Sequence, residues 1–193
     1  TCLSSIWETD GETERYFRIH SRPEAYKKLS PAEGAYYDGA VEIDLSTIEP
    51  MIALPFHPSN AVSVRELNAN AADILREVEK RGAAQLGLED GVLHLCDKID
   101  KATGRVRVDQ GVIAGCAGGT YDNICAAADI LRGASVGADR FALSVYPASQ
   151  PAFVRLLDTG RAADLMRAGA TLRTAFCGPC FGAGDVPANG GLS

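Results

Sequence analysis

From Gly111 to Phe176 the sequence alternates short apolar runs with helical patterns, and this constrains the fold more than any other feature. GVIAGC reads as a buried strand over Gly111–Gly115. TYDNICAAADILRG reads as a helix, capped by Thr120 or Asp122 and stopped by Gly133. FALSVYP is a second strand ended by Pro147, residues 150–168 are helical with a break near Thr159-Gly160, and ATLRTAF is a third strand over Ala170–Phe176. Strand, helix, strand, helix, strand predicts a parallel sheet with right-handed crossovers. We therefore expect an α/β fold built on a mostly parallel sheet.

Ligands of such sheets gather beyond the carboxyl ends of the strands. Cys116 lies one residue past the first strand and Cys177 immediately past the third, with Cys180 in the same CGPC motif. Three thiols 61 to 64 residues apart in sequence are thus expected at one edge. Ser149 and Gln150 come after the second strand at that edge and are candidate substrate contacts, although Ser149 is better suited to capping the next helix.

CGPC also occurs in thioredoxins, where it opens a long helix that lowers the first thiol's pKa. Here FGAGDVPANGGLS comes next, too rich in glycine to form that helix. Two readings then stay open. The thiols bind zinc with a fourth ligand from Asp or His, or they hold three irons of a cubane and leave the fourth open. Gly115, Gly118, Gly119 and Gly178 favour the larger group, because glycine brings backbone N–H donors close to an anion. The other cysteines, Cys2, Cys96 and Cys125, read as buried apolar thiols.

The rest of the chain is plainer. Residues 1–39 are a polar lead-in, with one short helix around Glu24–Leu29. Val41, Ile43 and Leu45 alternate with polar residues and predict a strand. Pro50, Pro55 and Pro58 exclude a regular element between them and predict an extended surface path. Ser63 caps a helix that Gly82 stops, with Leu67, Ala71, Ile74, Leu75 and Val78 on its apolar face. Residues 87–108 hold short strands, with turns at Asp90-Gly91 and Thr103-Gly104. Among other polar residues, His57 is a hydrogen-bonded loop residue and His94 faces solvent from a strand. His20 has no partner in sequence, Arg173 is a solvated strand residue, and Asp122 and Asn123 cap a helix.

Composition excludes several classes. A net charge of −6 with no basic block argues against a nucleic-acid surface. No apolar run is long enough to span a membrane. Six cysteines in 193 residues do not make a dense disulfide framework, so a reducing, cytoplasmic setting is expected. The first residue is Thr1, and the chain is expected to be a processed or excised piece.

Several motifs, taken in order, resemble the aconitase and isopropylmalate dehydratase superfamily. GVIAGCAGGTYDN resembles its strand-loop-helix, usually written I-G-S-C-T-N-S/G. AFCGPCFGAG resembles its second cluster loop, C-G-P-C-x-G. VEIDLSTIEPMIALPFHPSNAV is similar to the D-L-S-x-x-x-P…G-P-F segment, and LSVYPASQPAF stands where the family has P-G-S-x-x-V. TCLSSIWETDGETERYF is similar to the end of the preceding family domain. The resemblance implies residues 1–39 as the end of that domain and residues 40–193 as an aconitase-domain-3-like unit, an α/β fold of three layers with a mostly parallel sheet and helices on both faces. It implies a hydro-lyase acting on a hydroxy-di- or tricarboxylic acid, with a [4Fe–4S] cluster held by Cys116, Cys177 and Cys180. Ala117-Gly118 replaces the family's Thr-Asn. No acid-base or arginine segment of the family is present, so other domains of the same enzyme are the implied partners. The piece alone is expected to be inactive and to lack its cluster. The alternative is a non-catalytic module of this fold whose cysteines bind zinc or no metal.

Overall fold

The computed structural model describes residues 5–137 and 140–193. The chain divides into two compact units between Asp44 and Leu45. Cys2 lies outside the described residues.

The first unit contains helix α1, Gly11–Ile19. Asp10 caps it by accepting from the Thr13 backbone N–H at 2.9 Å, and Glu14–Arg18 pairs along it at 2.7 Å. The helix expected at Glu24–Leu29 is instead one 3-10 turn, Pro23–Ala25. The helical turns lie earlier because Asp10 supplies a cap that Glu24 does not. His20, absent any sequence partner, stacks on Tyr16 at 4.4 Å between ring centroids.

No strand forms over Val41–Leu45. Val41 and Ile43 are exposed and lie in no element, and Leu45 begins a 3-10 turn, Leu45–Thr47. Alternation predicts a strand only where a partner strand and a covering face exist. The proline-rich stretch corrects the opposite way. Strand β1, Met51–Ala53, runs between Pro50 and Pro55 and pairs antiparallel with β2, Ala61–Ser63. Its three residues escape the prolines, so the ladder keeps its N–H groups.

Helix α2, Val64–Leu86, begins as predicted: the Ser63 hydroxyl accepts from the Glu66 N–H at 3.0 Å. Leu67, Leu75 and Val78 pack with Leu54 into one core, joined by Phe56, Ile74 and Cys96. Gly82 does not stop the helix. It is buried inside it, and a Cβ there would lie 2.3 Å from the Phe56 ring. The glycine serves close packing, and the left-handed Gly87 ends the helix one turn later. Between Gly87 and Val108 the expected strands reduce to a single bridge, Ile99 to Val106, around the Thr103-Gly104 turn. His94 is not on a strand. It takes a left-handed φ of 53° ahead of the 3-10 turn Leu95–Lys98.

The last third matches the sequence pattern. Strand β3 is Gln110–Ile113, β4 is Ala142–Val145 and β5 is Thr171–Leu172. They form a parallel sheet in the order β3-β4-β5. A four-residue helix, α3 (Gly115–Gly118), and α4 (Tyr121–Leu131) link the first pair. Helices α5 (Gln150–Asp158) and α6 (Arg161–Arg167) link the second, and left-handed Gly160 separates them as expected. Strand order and right-handed crossovers place both connections on one face. Ile124, Ala128, Leu156, Ala162 and Leu165 of these helices bury Val145 of the sheet there. The opposite face presents Gln110, Ser144 and Tyr146, which meet Asp185 of the C-terminal segment. The fold is α/β with a small parallel sheet. Helices on both faces are the expectation; among the described residues α4–α6 cover one face of β3–β5, and Asp185 of the C-terminal segment meets the other.

Candidate thiol site at the carboxyl edge

The register aligns the strand ends: Ile113 is opposite Val145, and Val145 opposite Leu172. The segments leaving the three strands therefore emerge at one edge, and they carry the three cysteines. Cys116 sits in α3. Strand β5 is shorter than expected; its last sheet bond runs from the Arg173 N–H to the Val145 carbonyl at 2.9 Å. Beyond it the chain turns away from the sheet to reach Cys177, which precedes the 3-10 turn Gly178–Phe181. Arg173 is exposed, but it stands past the strand rather than within it.

Two glycines shape the Cys116 loop. Gly115 has φ +80°, and a Cβ there would lie 2.9 Å from the Cys180 Sγ. The two cysteine loops thus meet across a bare backbone. At Gly119 a Cβ would lie 2.3 Å from the Tyr146 carbonyl oxygen and 2.7 Å from that of Gly115. Its carbonyl accepts from the Ala148 N–H at 2.7 Å, which ties this loop to the end of β4. Asn123 does not cap α4. Its side-chain amide donates to the Ala117 carbonyl at 2.8 Å and fixes the loop from the other side.

The three thiols act on one another. Burial pushes the Cys180 thiol up, and the neighbouring Cys177, by charge and hydrogen bond, and Cys116, by charge, add to this. Cys180 remains exposed as a residue while its sulfur rests on Gly115. Cys116 and Cys177 are exposed and line an open pocket of about 260 Å³ with Gly115, Pro147, Ala148, Ala175 and Phe176. Three soft donors around glycine backbone are the donor chemistry an iron–sulfur group requires. Among the described residues, no set of three or more His, Cys, Asp or Glu side chains gathers around a single-ion position.

The remaining candidates lie outside the thiol pocket. Ser149 caps α5, its hydroxyl accepting from the Ala152 N–H at 3.3 Å. Gln150 is exposed at the first position of that helix, and neither residue lines the pocket. His57 pairs with the Ser59 hydroxyl at 2.7 Å, as a loop histidine should. Cys125 and Cys96 are half-buried rather than fully buried. Each packs against a different core, and burial raises the Cys96 thiol.

Asp185 is absent from the sequence-based candidates. Its carboxylate accepts from the Gln110 amide at 2.5 Å and the Tyr146 hydroxyl at 2.8 Å. Ser144 adds a side-chain hydrogen bond. The signal was available: Gln110 and Ser144 are polar residues within strand runs, and buried polar groups require partners. Burial alone would raise the Asp185 carboxyl, but hydrogen bonds from Ser144 and Tyr146, the Arg173 charge and Gln110 hold it below the usual range. A depressed carboxyl stabilises the fold above its unfolded-chain pKa, about 3.9, and that contribution is lost as pH falls through the lower folded value. Asp185→Asn is therefore expected to flatten the acid limb of the stability curve below about pH 4. Denaturant titrations from about pH 2 to 6 on both proteins check this; identical acid limbs would exclude it.

A parallel sheet with three thiols gathered past its carboxyl edge defines an α/β domain built around a sulfur-lined site. The chain belongs to the aconitase family (aconitate hydratase), which it matches over residues 1–193. It is 30% identical over 179 residues to a 3-isopropylmalate dehydratase large subunit of Clostridium botulinum, covering 93% of this chain and 34% of that protein. The 3-isopropylmalate dehydratase large subunit of Moorella thermoacetica is 29% identical over the same shares. The chain spans about a third of the length of the curated relatives it matches. The names of family and relatives describe hydro-lyases, which add or remove water across a carbon–carbon bond. Among the described residues no helix is long and apolar enough to cross a membrane.

Proposed function

We propose that this chain supplies the cluster-holding domain of an aconitase-like dehydratase. The meeting of Cys180 with the bare backbone of Gly115, beside Cys116, carries the reading. Cys116, Cys177 and Cys180 would hold a [4Fe–4S] cluster through three of its irons. When bound, the cluster supplies Lewis-acid polarisation of the substrate hydroxyl and carboxylate. A cubane spreads its cysteines over different irons, whereas zinc needs all its donors around one ion. The thiols of this chain suit the first arrangement.

Other residues of the chain shape the site around the thiols. Gly115 and Gly119 keep the Cys116 loop low, so that the pocket stays open between the two cysteine loops. Pro147 and Ala148 give the open pocket an apolar wall beside the thiols. Ser149 and Gln150, next along the chain, are the proposed substrate contacts.

The substrate is a hydroxy-di- or tricarboxylic acid. The relatives' name favours an isopropylmalate-type acid and, being that of a large subunit, a small-subunit partner. Residues 1–39 are proposed as the end of a preceding domain and 40–193 as the cluster domain, whose second helical layer would come from other parts of the enzyme. A cytoplasmic setting keeps the thiols reduced.

The test is a dehydration assay on the full-length polypeptide, following the absorbance of the unsaturated acid with isopropylmalate and citrate in turn. Turnover of either acid that depends on iron supports the proposal, and no iron-dependent turnover of any hydroxy-acid contradicts it. The 193-residue chain by itself is expected to show none.

A further inference from the structure

Two loops carry the thiols, and nothing in the sequence connects them. Tyr146 touches the Cys116 loop and the segment that follows the Cys177/Cys180 loop. On its backbone side, its N–H donates to the Ile113 carbonyl at 2.8 Å, and its own carbonyl lies against Gly119 of the Cys116 loop. On its side-chain side, the hydroxyl donates to Asp185 at 2.8 Å, five residues beyond Cys180. Tyr146 is buried, at 6% exposure, and its position at the end of β4 leaves it little freedom. Asp185 is gripped further by Gln110 and Ser144, both buried and both rooted in the sheet.

We infer that Tyr146 and Asp185 are a positioning pair that sets the separation between Cys116 and the Cys177/Cys180 loop. The 3-10 turn Gly178–Phe181 has few other ties. Its closing bonds are local, from the Cys180 N–H to the Cys177 carbonyl at 3.1 Å and from the Ala183 N–H to the Gly178 carbonyl at 2.8 Å. These fix the shape of the loop but not its place over the sheet. Its place comes from Asp185, and the tail is then held again at Leu192, whose N–H donates to Asp109 at 2.9 Å. The loop is internally rigid and is tied to the sheet on its N-terminal side through Arg173 and Val145 and on its C-terminal side through Asp185, so release of the carboxylate frees one of its two flanks.

The inference rests on the proposed function only in taking these thiols as the working groups, and its test needs no metal. Metal-free protein is treated with a short homobifunctional maleimide, and bridged cysteine pairs are quantified by peptide mass spectrometry. Tyr146→Phe removes one hydroxyl and Asp185→Asn one charge, and both keep the packing volume. Both are expected to lower the Cys116–Cys180 bridge about tenfold, the lower end of the scale of one hydrogen bond to a charged group. The Cys177–Cys180 bridge, inside one loop, should not change. The double variant should be no worse than Asp185→Asn alone, because the Tyr146 contact is one of those the carboxylate makes. An unchanged Cys116–Cys180 bridge in Tyr146→Phe would overturn the inference. So would parallel loss of both bridges, which would mean general unfolding of the loop rather than its displacement. Failure of wild-type protein to take up iron would count against the proposed function and leave this measurement intact.

Discussion

Replacing Cys116 by alanine is expected to abolish stable iron uptake, and Cys180→Ala to do the same. The two residues stand on separate loops that approach at Gly115, so removing Cys116 leaves the thiols of one loop with no opposite anchor, and removing Cys180 leaves a single thiol on each loop. A cubane held through three irons then falls to two protein ligands, and it becomes labile in water. Cys125→Ala is the control. That thiol packs against the helical core beneath the sheet, and its removal should cost about 1 kcal/mol of stability with no loss of iron. Iron and acid-labile sulfide are measured after anaerobic reconstitution and desalting. Full retention of iron by Cys116→Ala would mean that the Cys116 loop does not hold the group.

Gly119→Ala is expected to be the most damaging single-methyl change at the site. The added carbon would sit 2.3 Å from one backbone oxygen, 2.7 Å from a second and 3.0 Å from the Ala148 nitrogen. None of these is the far end of a flexible side chain, so relief requires the end of β4 to separate from the Cys116 loop. The Ala148 to Gly119 hydrogen bond would be lost with it. Overpacking against fixed backbone together with a broken buried hydrogen bond is expected to cost about 3 kcal/mol. Gly118→Ala, one residue away, meets nothing within 4 Å and should fall within about 0.5 kcal/mol of wild type. Urea denaturation of the two variants gives the comparison. Equal midpoints would show that the loop does not pack against β4 as described.

Both predictions depend on an edge that was legible in the sequence, because its determinants are local. Apolar runs of strand length, the Thr159-Gly160 break and the position of each cysteine just past a strand together specify which groups share that edge. Ser63 and Glu66 likewise announced the start of α2 through capping, a contact spanning three residues. Long-range determinants escaped. Gly82 reads as a stop signal until Phe56, 26 residues earlier, is seen occupying the space of its missing side chain. Strand alternation at Val41–Leu45 carries no information about whether a partner exists, and none pairs there. Helix α1 lacks a continuous apolar stripe; its Asp10 cap and the Glu14–Arg18 pair hold it, and hydrophobic periodicity does not register these.

The tail is the clearest case. FGAGDVPANGGLS reads as a glycine-rich end that forms no helix, yet Asp185 and Leu192 bind the start of β3 across 75 and 83 residues of sequence. Glycines at 182, 184 and 190 take positive φ and let the chain fold back. The second face of the sheet meets this segment at Asp185, where the family resemblance implies a further layer of helices. Cys180, just before this tail, lies against Gly115 of the other cysteine loop.

The central claim is that Cys116, Cys177 and Cys180 together hold an iron–sulfur cluster. The most direct measurement is anaerobic reconstitution with iron and sulfide, in the presence of equimolar zinc, followed by metal and sulfide analysis of the desalted protein. The account predicts about four irons and four sulfides per chain with a broad visible absorption band, and no stoichiometric zinc. One tightly bound zinc per chain, without iron or sulfide, would contradict it and assign the thiols to a structural metal site instead.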